Sequence, residues 1–140
     1  MRVVLDTSVL VAASRSRRGA SFELVRRLGG NDFRPALSVA LYAEWQDALL
    51  RPEHRPAGVS PAEAMAFLRF VAGKCHIQPI YFLWRPSLRD PDDDMVLELA
   101  VAAHCRFIVT HNVGDFSGSE RFGVEPITPA DFLRLIRTAS

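Results

Sequence analysis

The fold of this chain is decided near its start, where residues 2–8 read RVVLDTS. The β-branched run from Arg2 to Leu5 predicts a short strand, and Ser8 to Ser14 has the pattern of a helix. Asp6 therefore stands at the carboxyl end of a predicted strand. In α/β sheets, ligands bind at the carboxyl ends of the strands.

Strands and helices alternate along the rest of the chain. Further strands are predicted at residues 33–38, 77–82, 106–110 and 124–127. Further helices are predicted at residues 21–28, 39–50 and 61–72, from the acidic run at 90–94 through 103, and from 129 onward. Ser21 and Ser60 are the expected caps of two helices, and Pro35 can break the second strand. The alternation predicts an α/β fold: a three-layer α/β/α sandwich with a mostly parallel sheet of four to five strands.

Length and composition favour one soluble domain. The chain has 140 residues, 49% of them hydrophobic and 24% charged, which suits a single domain over residues 1–140. Cys75 and Cys105 lack the short spacing of a zinc or redox motif, so we interpret both as reduced packing residues. No segment approaches the roughly 20 apolar residues of a membrane span. We therefore expect a cytoplasmic protein without membrane contact.

The charges nearly cancel but are unevenly placed. With 17 basic and 16 acidic residues, the formal net charge of +1 says little about partners. Lys74 is the single lysine, and Arg15, Arg17 and Arg18 crowd one predicted loop. Arginine binds phosphate through two parallel hydrogen bonds, so this loop is a candidate contact for RNA backbone, and an ordinary solvated loop is the alternative.

Acidic residues fall at strand ends or on helices at four positions: Asp6, Glu44, the Asp92–Asp94 run and Asp115. Each has an ordinary explanation, as a helix cap, a solvated helix residue, a group at the positive end of a helix dipole or a turn residue. Together they indicate a site, because the carboxyl ends of parallel strands open onto one crevice.

Carboxylates gathered in one crevice need a cation, because they repel one another and raise each other's pKa. Mg²⁺ prefers oxygen ligands, keeps several waters and bridges to substrate phosphate. Such an ion, or Mn²⁺ in its place, activates water and offsets charge on a phosphate, as phosphodiester hydrolysis requires. Val96 and Ala100 form the predicted buried side of the helix that follows the acidic run, and counting back from them favours Asp93 as the ligand. Counting back from Thr110 favours Asp94, and we rank Asp93 first.

The acidic positions and their neighbours also resemble a known family. The matching segments are VVLDTS at 3–8, Glu44 on a long helix, DPDDD at 90–94, and VTHN at 109–112 followed by Asp115 and Phe116. In this order and spacing they resemble the acidic motifs of PIN domains, from residue 2 to about residue 135. Among PIN domains, the chain is most similar to the VapC-like toxins of prokaryotic toxin–antitoxin pairs.

The resemblance implies a function and a set of site residues. The implied function is metal-dependent endonuclease activity on RNA, by a homodimer whose site is blocked by the tail of a small antitoxin. The implied acidic site consists of Asp6, Glu44, Asp93 or Asp94, and Asp115. The implied polar positions, which orient ligands or water, are Thr7, Ser8, Thr110 and Asn112.

Other interpretations compete with this one. Haloacid-dehalogenase-like phosphatases also place an aspartate after the first strand, but they need a second aspartate two residues later, where this chain has Ser8. A PIN fold that only binds a partner is favoured by a missing acid, and none is missing. Ser-His-Asp catalysis lacks a nucleophile motif, and an exposed loop histidine explains His111 better than proton transfer does. Trp45 and Trp84 are more typical of core or interface residues than of base-stacking platforms.

Overall fold

The computed structural model describes residues 1–80, 88 and 90–139. In this part of the chain the strands are β1 (Arg2–Leu5), β2 (Arg34–Leu37), β3 (His76–Ile77), β4 (Phe107–Val109) and β5 (Glu125–Ile127). The helices are α1 (Thr7–Arg15), α2 (Ala20–Arg26), α3 (Val39–Leu50), α4 (Pro61–Ala72), α5 (Pro91–Ala102) and α6 (Pro129–Ala139). Short 3₁₀ helices lie at Pro52–His54, Val113–Phe116 and Ser119–Phe122. Within these described segments, no helix has the length and apolar character that a membrane crossing requires.

All five strands of the described sheet are parallel, in the order β3-β2-β1-β4-β5. β1 and β4 pair at the centre, with Val3 opposite Phe107 and Leu5 opposite Val109. From β1 the chain moves outward through β2 to β3, and β4 then begins the other half of the sheet. The strand order therefore reverses between β1 and β4, which opens a crevice at their carboxyl ends.

Helices cover both faces of the sheet. Residues 3–5 in β1 and residues 107–109 in β4 are all almost completely buried. Successive side chains of a strand point to opposite faces, so a strand in which every residue is buried has helices packed on each face. Trp45 and Phe132, both fully buried, belong to the same contiguous core. The predicted three-layer α/β/α fold with a parallel sheet is confirmed.

The strand predicted at residues 77–82 is displaced. β3 pairs His76 and Ile77 with β2, and the Gln78 amide donates to the Leu37 carbonyl at 2.8 Å. Pairing then ends because β2 itself ends at Leu37, and Ser38 is already the N-cap of α3. Residues 81 and 82 lie outside the described residues, as does Trp84, so the interpretation of that tryptophan stays a prediction.

Pro35 does not break β2. The Arg34 amide donates to the Met1 carbonyl at 2.8 Å, and consecutive amides of a strand point to opposite sides. The amide that Pro35 lacks would face β3, which begins only at His76, opposite Ala36. No pairing with β1 is lost, so the strand continues through the proline.

The two predicted helix caps have different outcomes. Ser60 caps α4 as predicted, and its Oγ accepts from the Glu63 amide at 3.1 Å. Ser21 is not a cap, because α2 begins at Ala20 with Gly19 as its N-cap. Ser21 lies inside the first turn and is 2% exposed. Its hydroxyl is therefore available to another part of the molecule.

Cys75 and Cys105 are packing residues. Both are free and buried. Burial raises the pKa of each thiol to about 12, so neither is a reactive thiolate near neutral pH.

Candidate active site

Asp6 lies in the crevice between β1 and β4. Its amide donates to the Val109 carbonyl at 2.9 Å, so the pairing of the two central strands extends to this residue. Its carbonyl accepts from the Val9 amide at 2.9 Å, which begins α1. Backbone hydrogen bonds on both sides therefore fix Asp6 at the end of the central strand.

The Asp6 carboxylate does not cap α1. Asp6 occupies the N-cap position, but its side chain makes no capping hydrogen bond. Its Oδ2 instead accepts from Ser8 Oγ at 2.9 Å and from Thr110 Oγ1 at 2.8 Å. Asp6 is only 8% exposed, and burial of a charge is costly. The ordinary explanation of this residue, a helix cap, does not account for this arrangement.

The two hydroxyls also bind the loop that follows β4. Ser8 Oγ accepts from the His111 amide at 3.1 Å, and Thr110 Oγ1 accepts from the Asn112 amide at 2.9 Å. Each hydroxyl thus donates to Asp6 and accepts from a backbone amide, which fixes the direction of its O–H bond. The start of α1 and the end of β4 are tied together around one carboxylate.

A hydrogen bond that the sequence did not predict holds the His111 ring. Its Nε2 lies 2.8 Å from Ser21 Oγ, which is buried in α2. The two residues are far apart in the chain, and Ser21 carried only the signal of a helix cap. The contact extends the Asp6 network to a third element of the fold.

Glu44 reaches the same crevice from α3. The residue is half-buried, and its Oε2 is buried with no hydrogen-bond partner among the described residues. The pKa of Glu44 is raised from 4.5 to about 7. Burial is the largest cause of this rise; the negative charges of Asp92 and Asp6 add to it, and the nearby Thr7 hydroxyl opposes it. An ordinary solvated helix residue has neither a buried carboxylate oxygen without a partner nor a raised pKa.

Asp93 joins these acids from the first turn of α5. Its pKa is raised from 3.8 to about 7. Burial is the largest cause, and the remaining causes are the negative charges of Asp90, Asp6, Asp115 and Asp92. Asp115 is exposed on the short helix after β4, close enough for its charge to act on Asp93. Repulsion among these carboxylates is what a bound cation would relieve.

Asp94 and Asp90 hold the start of α5. Asp94 Oδ1 accepts from the Leu88 amide at 2.9 Å, so this carboxylate binds the segment before the helix. Asp90 is the N-cap and accepts from the Asp92 amide at 2.9 Å. The charges of the other acids act on Asp93, and the choice between Asp93 and Asp94 as the ligand stays a prediction. The charge of Asp92 raises the pKa of Glu44. Nothing in the sequence favoured Asp92 over its neighbours in the acidic run.

The chemistry of these residues fits a divalent cation. The donors are carboxylate and hydroxyl oxygens, which Mg²⁺ and Mn²⁺ prefer. In the described part of the chain, no three or more His, Cys, Asp or Glu side chains are already arranged to ligate an ion. Mg²⁺ does not require this, because it keeps several waters and binds one or two carboxylates together with substrate phosphate. The unpartnered Glu44 Oε2 and the raised pKa of Asp93 are features that a cation would relieve.

A groove with a volume of about 430 Å³ lies beside the carboxylates. Glu44 and Asn112 line it, and so does Arg15 at the end of α1. Arg17 lines a separate cavity of about 220 Å³, and Arg18 is exposed. Of the three arginines predicted to act together, Arg15 alone lines the groove.

Comparisons with known proteins show the family of this chain. Residues 2–114 match the family model of the PIN domain, so the chain belongs to the PIN domain family. Its fold is similar to the solved structure of VapBC-1 from nontypeable Haemophilus influenzae, with a TM-score of 0.60 and 16% sequence identity. That similarity covers 93% of this chain and 99% of the other. No curated protein matches the sequence.

Proposed function

We propose that this protein is an Mg²⁺- or Mn²⁺-dependent endoribonuclease and the toxin of a toxin–antitoxin pair. The observation that carries the proposal is the buried Asp6 carboxylate, held by two hydroxyls. Its charge contributes to the raised pKa values of Glu44 and Asp93. Membership of the PIN family supports nuclease activity, and likeness to the VapBC-1 fold supports the toxin assignment.

The residues divide into those that would hold the ion and those that position them. Asp6 and Asp93, with Asp115, would hold Mg²⁺ or Mn²⁺, which supplies Lewis-acid activation of water and offsets charge on the phosphate. Ser8 and Thr110 keep the Asp6 carboxylate in one orientation before substrate arrives. Groups fixed in advance need no reorganisation during the reaction, which is the source of their effect on rate.

Glu44 is the proton acceptor in this proposal. A general base must lie within reach of the water that it deprotonates, and Glu44 lines the groove beside the proposed metal ligands. Its Oε2 has no hydrogen-bond partner in the described structure and can take a proton from the attacking water. Water then attacks the phosphorus, the bond between the phosphorus and the 3′-oxygen breaks, and this oxygen takes a proton from solvent, which yields 5′-phosphate and 3′-hydroxyl ends.

Analysis of the product ends tests this proposal. A labelled RNA is incubated with the purified protein in Mn²⁺, Mg²⁺ or EDTA, and Asp6→Asn is compared with Asp131→Asn on the exposed surface of α6. We expect cleavage only with metal, only by the protein that retains Asp6, and without cyclic phosphate. His54 and His111 both line the groove, and a pair of histidines suits attack by the 2′-hydroxyl. EDTA-resistant cleavage with 2′,3′-cyclic ends would therefore assign the reaction to them instead.

The toxin assignment includes two partners. We propose a homodimer, and a small antitoxin whose tail occupies the groove beside Asp6. Light scattering on the purified protein tests the homodimer. Co-purification with the product of the neighbouring reading frame tests the antitoxin. A folded protein that binds this product but cuts no RNA with metal would favour the partner-binding alternative.

A further inference from the structure

A second arginine lies on the groove beside the carboxylates. Arg51, the C-cap of α3, lines it together with Arg15, the last residue of α1. The two residues are distant in the chain and converge because α1 and α3 pack against each other. Glu44 lines the same groove and is among the charges that raise the pKa of Arg51, after its hydrogen bond and charge interaction with Asp47. Two cationic side chains thus border the groove that Glu44, the proposed general base, also lines.

We propose that Arg15 and Arg51 bind the sugar–phosphate backbone of the substrate strand on one side of the scissile phosphate. The strand leaves the carboxylates along the C-terminal ends of α1 and α3, away from Arg17 and Arg18. This inference rests on the proposed function, since it assigns the path of the same polyanionic substrate.

The negative charge of the site requires a track of cations along the path of the strand, which Arg15 and Arg51 form. A strand that places one phosphate beside several carboxylates is repelled by them unless its neighbouring phosphates meet cations. Arginine suits this role because its planar group binds phosphate through two hydrogen bonds. Arg15 and Arg51 line the groove itself, whereas Arg17 lines a neighbouring cavity that shares His54 with it.

Arg51 is available to a phosphate despite its present ion pair. It donates to Asp47 Oδ2 at 2.6 Å, and both side chains are more than half exposed, at 52% and 66%. A surface ion pair of this kind contributes little to stability, so a phosphate can replace Asp47 at small cost.

The groove wall next to Arg51 is fixed. His54 Nδ1 lies 2.7 Å from the Ala48 carbonyl oxygen, which can only accept, so Nδ1 is the donor. Its ring is therefore tied to the last turn of α3 and lines the groove beside Arg51. This part of the groove wall is therefore held in place before a substrate binds, which lowers the entropic cost of binding.

An alternative explanation of both arginines is structural. A cation at the C-terminal end of a helix interacts favourably with the helix dipole, and that requires no substrate. Binding measurements separate the two explanations, because the dipole interaction affects stability alone.

The experiment measures binding of a fluorescent single-stranded RNA on the inactive Asp6→Asn background, over a range of salt concentrations. Arg15→Gln and Arg51→Gln should each weaken binding about 5-fold or more and reduce the slope of log K against log salt by about 0.7, the value for one phosphate contact on a single strand. Arg17→Gln and Arg18→Gln should leave the slope unchanged.

Asp47→Asn is the matched control for Arg51→Gln. It removes the same ion pair but keeps the cation, so RNA binding should be unchanged or tighter. If Asp47→Asn weakens binding as much as Arg51→Gln does, or if Arg15→Gln and Arg51→Gln keep the full salt slope, the track is wrong and the proposed function stands. If the wild-type protein neither binds nor cuts RNA, the proposed function fails and the track with it.

Discussion

Replacement of Glu44 by Gln should stabilise the metal-free protein above neutral pH and abolish its activity. The pKa of Glu44 in the folded protein is raised from 4.5 to about 7. An acid of this kind contributes stability that is fully present below its unfolded pKa and is lost as the pH rises through its folded pKa. The wild-type protein in EDTA therefore loses stability between about pH 4.5 and pH 8, and Glu44→Gln removes this loss.

The size of the effect follows from the pKa. A rise from 4.5 to about 7 corresponds to about 3 kcal/mol if taken at full value. Glu44 is only half-buried, and solvent screening reduces this to roughly 1–2 kcal/mol. For a protein of this size, that is a rise in Tm of about 3–8 °C at pH 8. At pH 5 Glu44 is mostly protonated, so the two proteins should melt at similar temperatures.

Thermal unfolding by circular dichroism in EDTA, at several pH values from 5 to 8, measures this difference. Glu53→Gln is the control, since Glu53 is an exposed glutamate on the short helix after α3. Turnover of RNA by Glu44→Gln should fall about 100-fold or more, the scale of losing a principal catalytic group. The reasoning is refuted if Glu44→Gln melts at or below the wild-type temperature at pH 8, or if the difference is the same at pH 5.

Four other substitutions separate the remaining roles. Asp6→Asn should weaken Mn²⁺ binding in calorimetry and lower turnover about 100-fold, and equal affinity in both proteins would remove Asp6 from the site. Asp93→Ala should lower turnover without loss of Tm, whereas Asp94→Ala should lose about 1 kcal/mol of stability, because its hydrogen bond to the segment before α5 is broken. The reverse pattern would make Asp94 the ligand. Ser21→Ala should lose about 1 kcal/mol of stability, because its hydrogen bond to the His111 ring is broken, and an unchanged Tm would show that this bond does not hold the loop after β4.

The sequence by itself determined the elements of this fold. The β-branched run before Asp6 predicted the central strand, and helical spacing predicted α3 and α4 at the residues where they occur. These patterns are local, since a strand or a helix is selected by the burial and hydrogen bonding of residues a few positions apart. The same local patterns misplaced β3, because its length is set by its partner β2, which ends at Leu37.

The tertiary structure decided which side chains meet. Asp93 and Asp94 are adjacent in sequence but about 100° apart around their helix, so the packing of α5 on the sheet determines which one faces Asp6. Ser21 reads as a cap in the sequence and instead contacts His111, and Arg51 gave no signal that it would share a groove with Arg15. A site is a set of distances between residues far apart in the chain, and these are fixed by the packing of whole helices on the sheet, which no local pattern contains.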